Sequence, residues 1–207
     1  MLKLVVFDCD GVMFDSREAN RTYYNRILSQ FSCAPMDEEE VNYVHIHNVL
    51  DSIQHIFRQQ HQVKMEEVDQ YRQELNYAPF LQHMTIAPDL KEFLETISPQ
   101  YHRAISTNRT NTMDMVLDLF ELRSYFEIVM TASNAPRPKP APDALHIILD
   151  HFALKVDEAI FIGDSTVDQE HAASVGMELI AFKNPDLTAN YHVSNFTKIL
   201  ELPPFAA

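Results

Sequence analysis

Glycine is nearly missing from this chain: three residues in 207, Gly11, Gly163 and Gly176. Gly11 and Gly163 each adjoin an acidic residue at the end of an apolar run, so glycine is kept where backbone geometry requires it. Cysteine is rarer still, with Cys9 and Cys33 alone. Two thiols argue against a disulfide-stapled scaffold and read as free thiols in a reducing compartment. Basic residues are outnumbered, 16 against 30 acids, for a net charge of −14. That argues against a nucleic-acid backbone binder, which needs a basic face. It leaves open a small anionic substrate, because one cation and a few basic side chains set the field locally. No apolar run has membrane-spanning length, and Met1 leads straight into an apolar segment with no basic stretch before it. The expectation is a cytoplasmic protein with no membrane or nucleic-acid partner. No internal repeat or low-complexity tract is found.

What is present is ordinary for a globule: 46% hydrophobic and 22% charged residues. A chain of this length suits one large domain, or one domain with a modest insertion. The informative stretch is the first sixteen residues. Leu2, Leu4, Val5, Val6 and Phe7 form a short apolar run, the mark of a strand buried on both faces. It ends in Asp8-Cys9-Asp10-Gly11. Residues two apart on an extended segment point the same way, so Asp8 and Asp10 deliver two carboxylates to one space. Like charges so close are costly unless a cation sits beside them. The pattern reads as a divalent-metal site with a carboxylate nucleophile. Cys9 points the opposite way and reads as core.

After this strand the pattern turns helical. Asp15 and Ser16 read as an N-cap, with a helix from Arg17 to Gln30. Asp37 predicts the start of one long second helix, with Glu38 to Glu40 in its first turn and an apolar stripe from Val41 to Phe57. A third helix is expected from about Met65 to Tyr77. Beyond Pro88 strands and helices alternate: strands at Arg103–Ser106, Phe126–Met130, Ala159–Ile162 and Glu178–Phe182, with helices between. Ser165 caps a helix that ends at Val175, with Gly176 after it, and Asn195–Leu200 reads as a short closing helix. The Pro-rich segment Ala135–Pro142 can be neither helix nor central strand, and it fixes Lys139 in a stiff loop. The expected fold is α/β: a Rossmann-like three-layer core with a parallel sheet, plus an inserted α-helical cap. Residues 1–14 and 85–207 are assigned to the core and 15–84 to the cap.

In parallel sheets, ligands bind beyond the carboxyl ends of the strands. Asp8 and Asp10, Thr107 and Asn108, and Asp164 all follow their strands directly, and Lys139 follows by a loop. Four separate segments thus bring polar groups to one sheet edge. Arg109 follows Asn108 at that edge and is positioned to reach a ligand. Asp168 falls one helical turn after Asp164, so the two can face one site.

These segments resemble the four motifs of the haloacid dehalogenase superfamily, in the branch whose helical cap follows the first strand. They read Asp8-Cys9-Asp10-Gly11-Val12, Ile105-Ser106-Thr107-Asn108, Lys139-Pro140-Ala141-Pro142-Asp143, and Gly163-Asp164-Ser165-Thr166-Val167-Asp168. The resemblance spans the chain and implies the roles. Asp8 would be the nucleophile that forms an aspartyl-phosphate. Asp10 would protonate the leaving oxygen and then activate water. Lys139 would balance charge on nucleophile and phosphate. Thr107, with Asn108 and Arg109 beside it, would bind phosphate or substrate. Mg²⁺ would be held by Asp8, the Asp10 backbone carbonyl and Asp164, with Asp168 behind the ligands rather than among them. Dehalogenases of the family need no metal and lack an acid at the position of Asp10, so the second acid favours phosphoryl transfer. The implied function is an Mg²⁺-dependent phosphatase for a small phosphorylated metabolite, resembling phosphoglycolate phosphatases. The alternatives are a phosphomutase of the sugar-phosphate type, or a non-catalytic binding protein on the same fold.

Weaker signals are assigned to structure. His45 and His47 lack metal-ligand spacing and read as partly exposed helix residues. Arg17 and Arg21 share a helix face and read as surface pairs with neighbours such as Glu18. Tyr23 and Tyr24 read as packing within the helical block.

Overall fold

The computed structural model describes residues 1–206. Its frame is a six-stranded parallel sheet in the order β5-β4-β1-β6-β7-β8. The strands are β1 (Leu4–Phe7), β4 (His102–Ser106), β5 (Ile128–Met130), β6 (Ala159–Gly163), β7 (Glu178–Phe182) and β8 (Tyr191–Val193). Strand β1 is central, with Phe7 beside Ile105 of β4 on one side and Ile162 of β6 on the other. All four of its residues are buried, as a two-faced strand requires. Val5 and Phe7 join one apolar cluster with Phe93 of helix α5 (Leu90–Ile97) and Val116 of α6 (Met113–Leu119). Leu4 and Val6 join another with Leu145 and Ile148 of α7 (Asp143–Phe152) and Ala172 of α8 (Thr166–Val175). The period-two alternation of β1 thus glues a helical layer to each face, giving the expected Rossmann-like α/β core.

The chain leaves β1 toward β4 and β5, then returns to the other side of β1 for β6. This reversal makes a crevice at the carboxyl end of β1, where such sheets bind ligands.

Between β2 (Phe14–Asp15) and β3 (Thr85–Ile86) the chain is helical. These two-residue strands pair antiparallel, Phe14 with Ile86 and Asp15 with Thr85, and tie together the two chain segments that enter and leave the helical block. Helix α1 (Arg17–Gln30) packs on α2 (Glu38–Ile46), α4 (Met65–Glu74) and the 3-10 turn Ala78–His83. Arg17 and Arg21 reach Glu38, at 3.0 and 2.7 Å, and so cross-link α1 to α2, while Arg21 also pairs with Glu18 at 3.5 Å.

Several expectations are corrected. The long second helix is two: α2 ends at Ile46, and α3 (Val49–Ile56) starts afresh. Asp37 caps α2 with a full capping box, but Asn48 Oδ1 accepts from the amides of Leu50 and Asp51 and caps α3, so a strong local cap overrides a continuous apolar stripe. The third helix stops at Glu74 rather than Tyr77, and the closing helix is a 3-10 turn, Thr197–Glu201. Ser16 stands at the N-cap of α1, but its side chain does not cap; it serves the site below.

Candidate active site

The carboxyl end of β1 is folded tightly. Gly11 N–H donates to the Phe14 carbonyl at 2.7 Å, and Met13 and Phe14 both donate to the Cys9 carbonyl. Gly11 takes φ +84°, and a Cβ there would stand 1.9 Å from Asp164 Oδ2. The missing side chain is therefore what lets the loop after β6 lie against the loop after β1. Cys9 is buried core, as expected.

Asp8 is buried at the strand tip. Lys139 Nζ donates to Asp8 Oδ1 at 2.7 Å and to Asp168 Oδ1 at 2.6 Å. Asp168 is fully buried, and its second oxygen accepts from Ser165 Oγ at 2.7 Å and from the amides of Asp164 and Ser165. Both oxygens of Asp168 are thus occupied within the protein. Asp8, Asp164 and Asp168 bring carboxylate oxygens within 4.8 Å of one another. Three carboxylates face one ammonium at the tip, so acids outnumber the base that serves them. Burial, then the charge of Asp168, pushes the Asp8 carboxyl up to about 7 against the pull of Lys139. Burial and the same neighbours raise Asp164 well above the usual carboxylate range. Burial alone would lower Lys139, but Asp168 and Asp8 outweigh it and hold the ammonium charged.

The surplus charge, the hard oxygens of Asp8 and Asp164, and the close approach that Gly11 permits fit a divalent cation such as Mg²⁺. The carboxylate of Asp168, already engaged twice over, fits a supporting place.

Asp10 has a different environment. Arg109 Nη2 donates to its Oδ1 at 2.7 Å, and Ser16 Oγ donates to the same oxygen. Burial would raise Asp10, but the Arg109 charge and these hydrogen bonds hold it below the usual range. Arg109 is itself buried, and its Nη1 lies 3.4 Å from Tyr77 Oη and 3.3 Å from Thr112 Oγ1.

Thr107 ends β4. Its Oγ1 accepts from the Arg109 amide at 3.1 Å, which leaves the hydroxyl proton free to donate. Asn108 Nδ2 donates to the Lys139 carbonyl at 3.2 Å and ties the second segment to the third. All eight residues singled out from the sequence meet at this edge.

All but Asp168, which lies behind them, border a cavity of about 290 Å³ whose far wall comes from the helical block, including Tyr23, Tyr24, His45, Arg72 and Tyr77. Those residues escaped the sequence reading as site residues. Helical periodicity marks which face is buried, but not that the face is opposed by the tip of β1. His45, read as a partly exposed helix residue, is half-buried and lines the cavity. With Asn20 Nδ2 donating to its Nδ1 at 3.3 Å, the neutral ring carries its proton on Nε2. Burial holds its pKa down and favours that neutral form. His47 turns instead to stack on Tyr43 at 3.8 Å.

Comparison with known proteins agrees with this fold. The model of the haloacid dehalogenase-like hydrolase family matches residues 5–182. A solved HAD-superfamily hydrolase of subfamily IA, variant 1, from Geobacter sulfurreducens PCA superposes with a TM-score of 0.85 at 35% identity, covering 97% of this chain and 99% of that one. A phosphoglycolate phosphatase from Haemophilus influenzae is 28% identical over 189 residues, 86% of this chain and 84% of that enzyme. A ribulose-1,5-bisphosphate 5-phosphatase from Halopiger xanaduensis is 31% identical over 109 residues, and that match spans 51% of this chain and 46% of that protein.

Proposed function

The chain belongs to the haloacid dehalogenase-like hydrolase family, and from that premise we propose that it is a phosphatase for a small phosphomonoester, working through Asp8 with a bound Mg²⁺. The observation that carries this reading is the charge arrangement at the tip of β1: three carboxylates, those of Asp8 and Asp168 buried and that of Asp164 half-buried, against one ammonium, with a further acid, Asp10, two residues from Asp8.

The cation would be held by the carboxylates of Asp8 and Asp164 and the backbone carbonyl of Asp10, and it would supply the positive charge that lets an anionic carboxylate meet an anionic phosphate. Lys139, bonded to Asp8 Oδ1, fixes the rotation of that carboxylate and screens the incoming phosphoryl oxygens. Thr107 offers its hydroxyl proton to one of those oxygens. An Asp8 oxygen forms a bond to phosphorus as the ester P–O bond breaks; Asp10, ionised while Arg109 and Ser16 hold it, takes up a proton from solvent as substrate loosens those bonds and passes it to the leaving oxygen. Asp10, now a carboxylate, takes a proton from water as that water attacks phosphorus. The bond to Asp8 then breaks and releases phosphate. Residues 15–84 act as a cap over the core formed by 1–14 and 85–207. The support is that the cavity has one wall from each part and that β2 and β3 pair at the crossing between them. Closing such a cap excludes water from the first step.

Phosphate release from para-nitrophenyl phosphate tests this. The wild type is expected to turn over with Mg²⁺ and to stop when the metal is chelated. Asp8→Asn is expected to fall to background while melting cooperatively. An Asp8→Asn variant with full activity would falsify the nucleophile assignment.

A further inference from the structure

Asp164 is held by its backbone rather than by its side chain. Its N–H donates to Asp168 Oδ2 at 3.2 Å, and its carbonyl accepts from Asn184 Nδ2 at 2.7 Å. Asn184 comes from outside the four segments that build the site. It lies two residues past the end of β7, the strand beside β6, where Ala181 is level with Gly163, and it does not line the cavity.

Three features aim its amide. Asn184 Oδ1 accepts from the Asp186 N–H at 3.1 Å, a turn that asparagine forms with backbone two residues on. Nδ2 is thereby left for the Asp164 carbonyl, since the reversed amide would set oxygen against oxygen. Pro185, next in the chain, confines Asn184 to extended backbone. Lys183 takes φ +56°, a left-handed conformation that costs a residue with a Cβ, while its N–H still donates to the Val193 carbonyl at 2.8 Å. The chain therefore stays on the sheet through Lys183 and then turns. Strain of this kind persists only where surrounding contacts impose it, and it gathers at functional sites.

We propose that Asn184 is a positioning residue for the divalent cation: by holding the Asp164 carbonyl, it keeps the loop after β6 where the carboxylates of Asp164 and Asp8 can grip one ion. The inference rests on the Mg²⁺ reading and makes the tip of β7 a fifth segment of the site. The tolerance there is small. Asp164 Oδ2 sits so near Gly11 that a Cβ on that residue would stand 1.9 Å away. Mg²⁺ demands oxygens at about 2.0–2.1 Å in near-ideal octahedral array, so a small shift of the loop is felt at the ion.

Calorimetry of Mg²⁺ binding to the whole chain tests this with two variants. Asn184→Ala removes the amide. Asn184→Asp keeps an acceptor for the Asp186 N–H, cannot donate to the Asp164 carbonyl, and adds a negative charge beside Asp164. Losing a group that orients a metal ligand costs about 10- to 100-fold in affinity, and both variants should weaken Mg²⁺ by a factor in that range. The fitted stoichiometry reports the folded fraction, so misfolded protein does not mimic the effect. With para-nitrophenyl phosphate, the Mg²⁺ concentration for half-maximal rate should rise by the same factor, while saturating Mg²⁺ restores most of kcat. A merely structural Asn184 would lower Tm without added metal and leave Mg²⁺ affinity unchanged in both variants, which overturns the positioning role alone. Tighter binding in Asn184→Asp with no change in Asn184→Ala overturns it too, because charge by itself would then explain the effect. A wild type that binds no Mg²⁺ sinks the cation reading itself, and the proposal with it.

Discussion

A single imidazole behind the site shows how burial at one residue becomes a property of the protein. His171 is fully buried, and its Nε2 shares a 2.9 Å hydrogen bond with Ser106 Oγ at the end of β4. Burial, helped by the nearby Lys139 charge, pushes its pKa from 6.5 down to about 4. Below 6.5 the unfolded chain takes up a proton that the folded chain refuses until about pH 4. The contribution of His171 to stability is therefore complete above 6.5 and is lost as pH falls toward 4. Across that window the loss amounts to roughly 3 kcal/mol. His171→Leu should flatten this part of the profile, read by urea unfolding at pH 7, 5.5 and 4.5. Identical slopes for the two proteins would show that the ring is not held neutral. Nothing in the sequence marks His171, because a histidine on a helix face looks the same whether it meets water or the underside of the proline-rich loop that carries Lys139. Asp8 and Lys139 were legible because each has a local reason to stand where it does: one at the tip of an apolar run, the other inside a proline-stiffened loop.

At the scale of elements, two glycines at element ends make opposite demands. Gly176 ends α8 at φ +75° with open space where a Cβ would be, whereas the Gly11 Cβ would run into Asp164. Gly176→Ala should cost roughly 1 kcal/mol of left-handed strain and leave the thermal response to Mg²⁺ intact. Gly11→Ala should drive the Asp164 carboxylate away from β1 and abolish the Mg²⁺-induced rise in Tm. If Gly11→Ala still responds to Mg²⁺ like the wild type, Asp164 does not hold the cation. The same scale explains which elements could be read from the chain. The buried strands announce themselves because both faces are apolar, and α8 because Ser165 and Gly176 bracket it. Strand β8 went unseen: Tyr191-His192-Val193 lies at the sheet edge, where one polar residue in three is tolerated and no alternation develops in so short a run. The split of α2 from α3 was hidden for the opposite reason. Val44, Val49 and Ile53 continue one apolar stripe across the break, and only the Asn48 cap, a local competition, interrupts the backbone.

For the whole molecule the governing quantity is the charge surplus of −14. It surrounds a site where three carboxylates face one ammonium at the tip of β1. Carboxylates as buried as Asp8 are shielded from salt by the protein around them, so ions in solution act mainly on the exposed acids. Those acids attract Mg²⁺ toward the surface and repel an anionic phosphate ester at the same distance. Raising KCl from about 0.01 to about 0.15 M shortens the screening length from about 30 to about 8 Å. The same addition should therefore weaken Mg²⁺ binding several-fold, measured by calorimetry, while the KM for the ester at saturating Mg²⁺ holds steady or falls. The opposite directions matter, because competition by K⁺ at the carboxylates would weaken the metal without helping the ester. Replacing exposed acids outside the cavity lining, Glu39 and Glu66 among them, by Gln should reproduce part of the salt effect at low ionic strength. If those changes leave Mg²⁺ affinity untouched, the surface charge serves solubility alone and the buried carboxylates set the affinity by themselves.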